Sequence, residues 1–280
     1  MKPLPENDAL HVFKDVQSEL LSLLRSMSAE EWNYPASSRS WNVKDIVAHL
    51  LDGDLRRLSL HRDGHVLPEP SSPVNSYSSL VTYLNELNNT WVSASKRLSP
   101  TLLIKLIEFI TPEVVKHLKS LDPKGTALFS VGWADEEESE NWFDIAREYT
   151  EKWHHQQQIR EATGKPLLVE GKWLIPLIDT LIRGVPPVYQ QFAAPIENER
   201  LKININGVIS DSWILTCRIN RWQLFKADTD QTNNQVEMDD DTAWRMFTKN
   251  ITEHEALNRI EVTGDQKLGK LIAKTVSFMK

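Results

Sequence analysis

The sequence predicts two domains of different class, a helical N-terminal part and an α+β C-terminal part. A length of 280 residues exceeds what one hydrophobic core usually fills. Apolar residues recur at helical spacing through residues 1–165, whereas from residue 199 the pattern changes to short runs rich in β-branched and aromatic residues. The expected division is therefore 1–165 for the helical part, 166–198 for a helical linker and 199–280 for the α+β part.

The first helix is drawn by Leu10, Phe13, Val16, Leu20, Leu23, Leu24 and Met27, which form one stripe between about Glu6 and Met27. A loop containing Pro35 follows. The second helix starts after Asn42, a suitable N-cap, and Asp45 three residues on completes a capping-box pattern. Its buried stripe is Val43, Ile46, Val47, Leu50 and Leu51. Pro68, Pro70 and Pro73 break the chain. Tyr77 to Leu98 and Leu102 to Leu118 again show helical periods, the latter interrupted near Pro112. The fifth helix runs from Asn141 to Thr163 and stops at Gly164, with Pro166 beyond it. In the linker a helix is expected from Trp173 to Arg183, ended by a break at Pro186 and Pro187. LKININ, DSWILTCRI and RWQLFKA read as strands. A helix at Asp241 to Thr248, a strand at Arg259 to Thr263 and a closing helix at Gln266 to Phe278 complete an antiparallel sheet with helices on one face.

Composition excludes several functions. A net charge of -7 and a pI of 5.7 give no electrostatic footprint for nucleic acid. No apolar run approaches the roughly 18 residues that span a bilayer, and the N-terminus lacks the apolar core of a signal peptide, so a cytoplasmic protein without a membrane partner is expected. Cys217 is the sole cysteine, which rules out an internal disulfide and a cysteine zinc cluster. A metal would have to be held by His, Asp or Glu.

Two places qualify for that chemistry. Glu151 and His155 are four residues apart on the fifth helix, one turn along one face. Glu148 lies on the same side, so geometry alone leaves a Glu148/Glu151/His155 ladder, while His154 points about 100° away. His49 flanks the apolar stripe of the second helix. Spacing also allows a bland outcome, since carboxylate and imidazole four apart are usually a solvated pair. Trp142, Ile145, Ala146, Tyr149 and Trp153 form an apolar stripe opposite Glu151, which would turn the pair toward water. A metal site requires that stripe to pack on something else, such as the second domain, while the polar face looks into the bundle. Asp45 reads as a helix cap. Gln157 and Trp153 are candidates for a pocket wall, against a solvated glutamine and a core tryptophan. Arg56, Arg57, Arg160, Arg218, Arg221 and Arg245 are unranked candidates for binding an anionic substrate.

The residues themselves resemble a family. MSAEEWNYPASSRSWNVKDIVAHLLDGD is similar to the opening motif of the mycothiol-dependent maleylpyruvate isomerase branch of the DinB/YfiT-like metalloproteins. EYTEKWHHQQQIREATGKP resembles its second motif, and VEMDDDTAWRMFTKN with IEVTGDQKLGKLI resembles the sterol-carrier-like domain fused to such bundles. The sequence departs from the family at 36–40, where a cysteine and a glycine are often found. The resemblance implies a DinB-like four-helix bundle followed by a sterol-carrier-like α+β domain. It implies His49, Glu151 and His155 as metal ligands, with His154, Glu148 and Asp45 outside the set.

It further implies an isomerase or transferase that uses one divalent ion, with zinc first and nickel, iron or manganese also accommodated. The thiol would be mycothiol or bacillithiol, added to a cis double bond, released after rotation, or transferred to a small electrophilic substrate. Cys217, in a strand remote from the ligands, reads as a small buried hydrophobe rather than as that thiol. The rival readings are a non-catalytic metal-binding protein and a carrier of a small apolar ligand. Oligomeric state is not legible.

Overall fold

The structure is a computed structural model that describes residues 1–36, 41–67, 70, 73, 76–228 and 232–277. Pro68, most of the divergent loop at 36–40, and Phe278 fall outside the described residues. Contacts divide the chain into two compact units, one comprising Ala9–Leu128 and Glu148–Leu168, the other Met1–Asp8, Phe129–Arg147 and the chain from Val169 onward. The division differs from the boundaries at 165 and 198 drawn above, because the amino end, 129–147 and 169–198 group with the sheet. None of the described helices is long and apolar enough to cross a membrane.

The first unit is helical. It contains α1 (Leu10–Ser26), α2 (Val43–Arg56), α3 (Tyr77–Ser95), α4 (Pro100–Ser120) and, from Glu148 onward, α5 (Asn141–Thr163). Helix α1 packs on α4, and α2 on α3 and α4. The stripes legible in the sequence close one core with Leu20 and Leu24, in which Val43, Ile46, Val47, Leu51 and Leu103 are wholly buried. The proline near the middle of α4 does not interrupt it. A proline there costs about 3 kcal/mol or more in an isolated helix, and burial of Val114, Val115 and Leu118 just beyond it offsets that cost. Helix α2 runs on into a π-helical turn, Arg57–Arg62.

The second unit is a six-stranded sheet with helices. Its strands are β1 (Lys2–Pro3), β2 (Arg200–Asn206), β3 (Asp211–Arg218), β4 (Arg221–Lys226), β5 (Gln235–Asp239) and β6 (Glu261–Thr263), in the order β1-β4-β3-β2-β5-β6. All neighbours are antiparallel except β2 and β5, which run parallel. Strand β2 shows the alternation that marked it, with Leu201, Ile203 and Ile205 buried between less buried residues. Two strands were not anticipated. β1 is two residues long and contains a proline, which only an edge tolerates, and β5 alternates over just five residues before Asp239 caps the next helix through Thr242 N (2.7 Å).

The helices of this unit are α6 (Gly171–Leu181), α7 (Val185–Phe192), α8 (Asp240–Phe247), α9 (Glu253–Leu257) and α10 (Gln266–Lys270). Pro186 and Pro187, expected as a break, lie in the first turn of α7, where a missing N–H removes no helical bond. The closing helix is shorter than expected and gives way to a 3₁₀ turn at Leu271–Lys274. Beyond it the chain is buried in extended form, with Ser277 N donating to Phe247 O (2.9 Å) and Ser277 Oγ to Leu181 O (2.5 Å). These partners replace the bonds that another helical turn would have made.

Candidate metal centre

Helix α2 is anchored at its start and braced beside His49. Asp45 N donates to Asn42 Oδ1 (2.9 Å) and Asn42 N to Asp45 Oδ2 (3.2 Å), so Asp45 closes the capping box. One turn on, Trp91 Nε1 donates to Ala48 O (2.8 Å), and the Trp41 ring packs against the His49 ring with centroids 5.3 Å apart. The register of α2 thus fixes where His49 emerges.

Helix α5 resolves the conflict between periodicity and a buried site. Tyr149 and Trp153 are inaccessible to solvent, and so are polar side chains beside them: Lys152, His154, Gln156 and Gln157 are at most 3% exposed, while Glu148, Glu151 and Gln158 are half-buried. The polar side finds partners within the bundle. Lys152 Nζ lies 2.7 Å from Asp54 Oδ1 and 3.8 Å from Glu148, and Arg57 donates to Glu148 Oε2 at 3.3 Å. Gln156 donates to Val16 O (3.0 Å), and Arg160 to Glu19 and Gln156. Burial pushes the Asp54 carboxyl up, against the pull of Lys152. It also holds His154 well below the usual imidazole range and raises the Tyr149 phenol.

Three side chains converge on this polar side. His49, Glu151 and His155 offer ligand atoms that all lie within 4.8 Å of one another, and among the described residues no other group of three such side chains does so. The His49 and His155 rings meet edge-on, with centroids 4.8 Å apart and planes at 83°. His155 Nε2 stands 3.4 Å from Glu151 Oε2, and His155 Nδ1 is 2.8 Å from Gln158 Oε1.

These residues fit a divalent ion. Donors bonded at roughly 2.0–2.1 Å to one tetrahedral ion stand about 3.3 Å apart, close to the 3.4 Å separating His155 Nε2 from Glu151 Oε2. An imidazole lone pair facing a carboxylate oxygen is repulsive until a cation or proton sits between them. Two imidazoles and one carboxylate also leave positions for further ligands.

The remaining candidates have other partners. Glu148 faces Arg57 and Lys152, and His154 is outside the converging group. Gln157 donates to Leu168 O (2.9 Å) and accepts from Leu168 N (3.2 Å), while Trp153 Nε1 donates to the same carbonyl (3.0 Å). Both therefore fasten the chain after α5 instead of presenting polar atoms to a pocket. Arg56 is held by Asp52 (3.0 Å) and Asn88 (2.9 Å). In the sheet unit, Arg218 lies over the Phe225 ring, Arg221 opposes Arg218 across the strands and Arg245 pairs with Asp241 (2.9 Å). Cys217 is fully buried opposite Trp222, and burial raises its thiol. Sequence reasoning passed over Gln158, although its position one turn after His155 was a usable signal.

Comparison with known proteins gives a family and a fold. The profile described as the mycothiol maleylpyruvate isomerase N-terminal domain matches residues 13–160. A crystal structure of a histidine-to-alanine mutant of the mycothiol-dependent maleylpyruvate isomerase superposes with a TM-score of 0.56 at 13% identity, covering 94% of this chain and 95% of that one. A further crystal structure of the mycothiol-dependent maleylpyruvate isomerase gives 0.49 at 14% identity over 88% and 91% of the two chains. At such identity the likeness speaks for the fold alone. No curated protein matches.

Proposed function

The chain belongs to the family defined by the mycothiol maleylpyruvate isomerase N-terminal domain, and from that premise we propose that it is a metal- and thiol-dependent enzyme. It isomerises a small electrophile or transfers the thiol to it. The observation that carries this reading is the convergence of His49, Glu151 and His155 from two helices, with His155 buried and the other two half-buried. Zinc suits the donor set first; nickel, iron and manganese suit it as well.

The chain's residues hold and orient. His49 and His155 present ring nitrogens, and Glu151 brings the negative charge that offsets part of the ion's own. Trp41, packed on the His49 ring, restricts how that ring can turn. When bound, the ion holds a thiol as its thiolate, and the thiolate supplies reversible addition to a carbon–carbon double bond, so that a cis alkene can leave as trans. Cys217 is enclosed in its strand, so the sulfur comes from a small molecule, mycothiol or bacillithiol. We place the reaction in the cytoplasm, where such thiols are kept reduced.

The test is elemental analysis of the purified protein, followed by titration of its cobalt form with mycothiol and with bacillithiol. One ion per chain and a thiolate-to-cobalt charge-transfer band are expected. One ion with no response to either thiol would leave a non-catalytic metal-binding protein.

A further inference from the structure

Three consecutive glutamines follow the second histidine of α5, and they have different partners. Gln156 is tied to Val16 and Arg160, and Gln157 to Leu168. Gln158 alone of the three turns its amide oxygen to a ligand of the candidate centre, 2.8 Å from His155 Nδ1. An amide oxygen only accepts, so a proton on Nδ1 satisfies this contact, and in the neutral form of such a ring the lone pair then falls on Nε2. Nε2 is the atom facing Glu151 Oε2 at 3.4 Å.

Resting on the metal reading above, we infer that Gln158 is a positioning residue of the centre. It locks His155 in the Nδ1–H tautomer, so that the ion is taken through Nε2 into a ring already turned toward Glu151. Without this acceptor the ring would favour the other tautomer, because a proton on Nε2 can bond directly to the Glu151 carboxylate. That proton would have to leave before an ion could enter, and the ring would lose the contact that fixes its rotation. Gln158 thereby determines which atom ligates and how much of the site's order exists before loading.

Two measurements test this. Two-bond nitrogen–proton correlation spectra of the labelled, metal-free protein, assigned against His155→Ala, report the tautomer; Nδ1–H is expected for His155. Zinc competition against a chromophoric chelator is then compared for wild type, Gln158→Leu and Gln158→Glu. The leucine variant should bind zinc about 10–100-fold more weakly and shift the His155 tautomer, with a metal-free melting temperature near that of wild type. The glutamate variant should restore the affinity, because it restores an acceptor. An Nε2–H ring in wild type, undiminished zinc affinity in Gln158→Leu, or equal losses in both variants would overturn the assignment. If wild type takes no zinc, the metal reading fails by itself, and the spectra still decide what Gln158 does to His155.

Discussion

Lys152 and Asp54 form an ion pair of 2.7 Å with side chains only 2% and 3% exposed. Glu148 and Arg57 extend it into a run of alternating charges between α5 and the C-terminal end of α2, continuing into the π-helical turn. Because each charge is out of water, removing one partner leaves the other uncompensated. Lys152→Met or Asp54→Ala should each destabilise the protein by about 3–5 kcal/mol in urea unfolding. The double variant should recover part of that loss. A single variant within about 1 kcal/mol of wild type would mean that water reaches the pair.

The three converging side chains predict a clear pattern of metal content. His49→Ala and His155→Ala should lack the ion expected in wild type, and Glu151→Gln should bind it more weakly. Added zinc should raise the melting temperature of wild type but not of either alanine variant, since only a folded, complete site gains from the ligand. Undiminished metal in both alanine variants would remove the ligand assignment.

Gln157 and Leu168 exchange two hydrogen bonds at 2.9 and 3.2 Å. Replacing the glutamine by leucine leaves the buried Leu168 N without its partner, while Leu168 O keeps Trp153 Nε1, so Gln157→Leu should cost about 1–3 kcal/mol of stability. Metal stoichiometry should stay at the wild-type value. A normal melting temperature with altered metal or thiol binding would instead return Gln157 to the pocket.

His117 predicts a dependence on pH. Its ring meets His61 edge-on with centroids 4.8 Å apart, and burial, then the charges of His61, Arg57 and Arg62, lower its pKa from the ordinary value of 6.5. Asp63 pulls the other way with less effect. A base depressed in the fold takes up protons more readily once unfolded, so its contribution is intact above pH 6.5 and declines as pH falls through the lowered folded value. Wild type should therefore lose more stability between about pH 7.5 and 5.5 than His117→Gln does, as read by urea midpoints. Equal losses would show that the ring is protonated as easily in the fold as out of it.

Elements governed by neighbours in sequence were legible, and those governed by distant partners were not. The Asn42–Asp45 capping box and the stop at Gly164 follow from adjacent residues, and both helix ends stand where that chemistry puts them. The pairing of α5's polar face was hidden, because periodicity turns Glu148 with Glu151 and His155 toward solvent, whereas Arg57 on another stretch of chain pairs with Glu148. Strand β5 escaped notice because its residues acquire a strand's character only beside β2. The candidate ligand set lay between these cases. Helical spacing gave Glu151 and His155 one face but could not choose between Glu148 and Glu151, nor draw His49 to them; resemblance to a family supplied both.

Enclosure of Cys217, the only cysteine of the chain, bears on a protein proposed to work with a soluble thiol. Oxidised forms of that thiol find no accessible cysteine sulfur with which to exchange, so S-thiolation of the folded protein is blocked sterically. Labelling by a sulfhydryl-reactive dye would then count unfolded molecules, even in a solution rich in the disulfide.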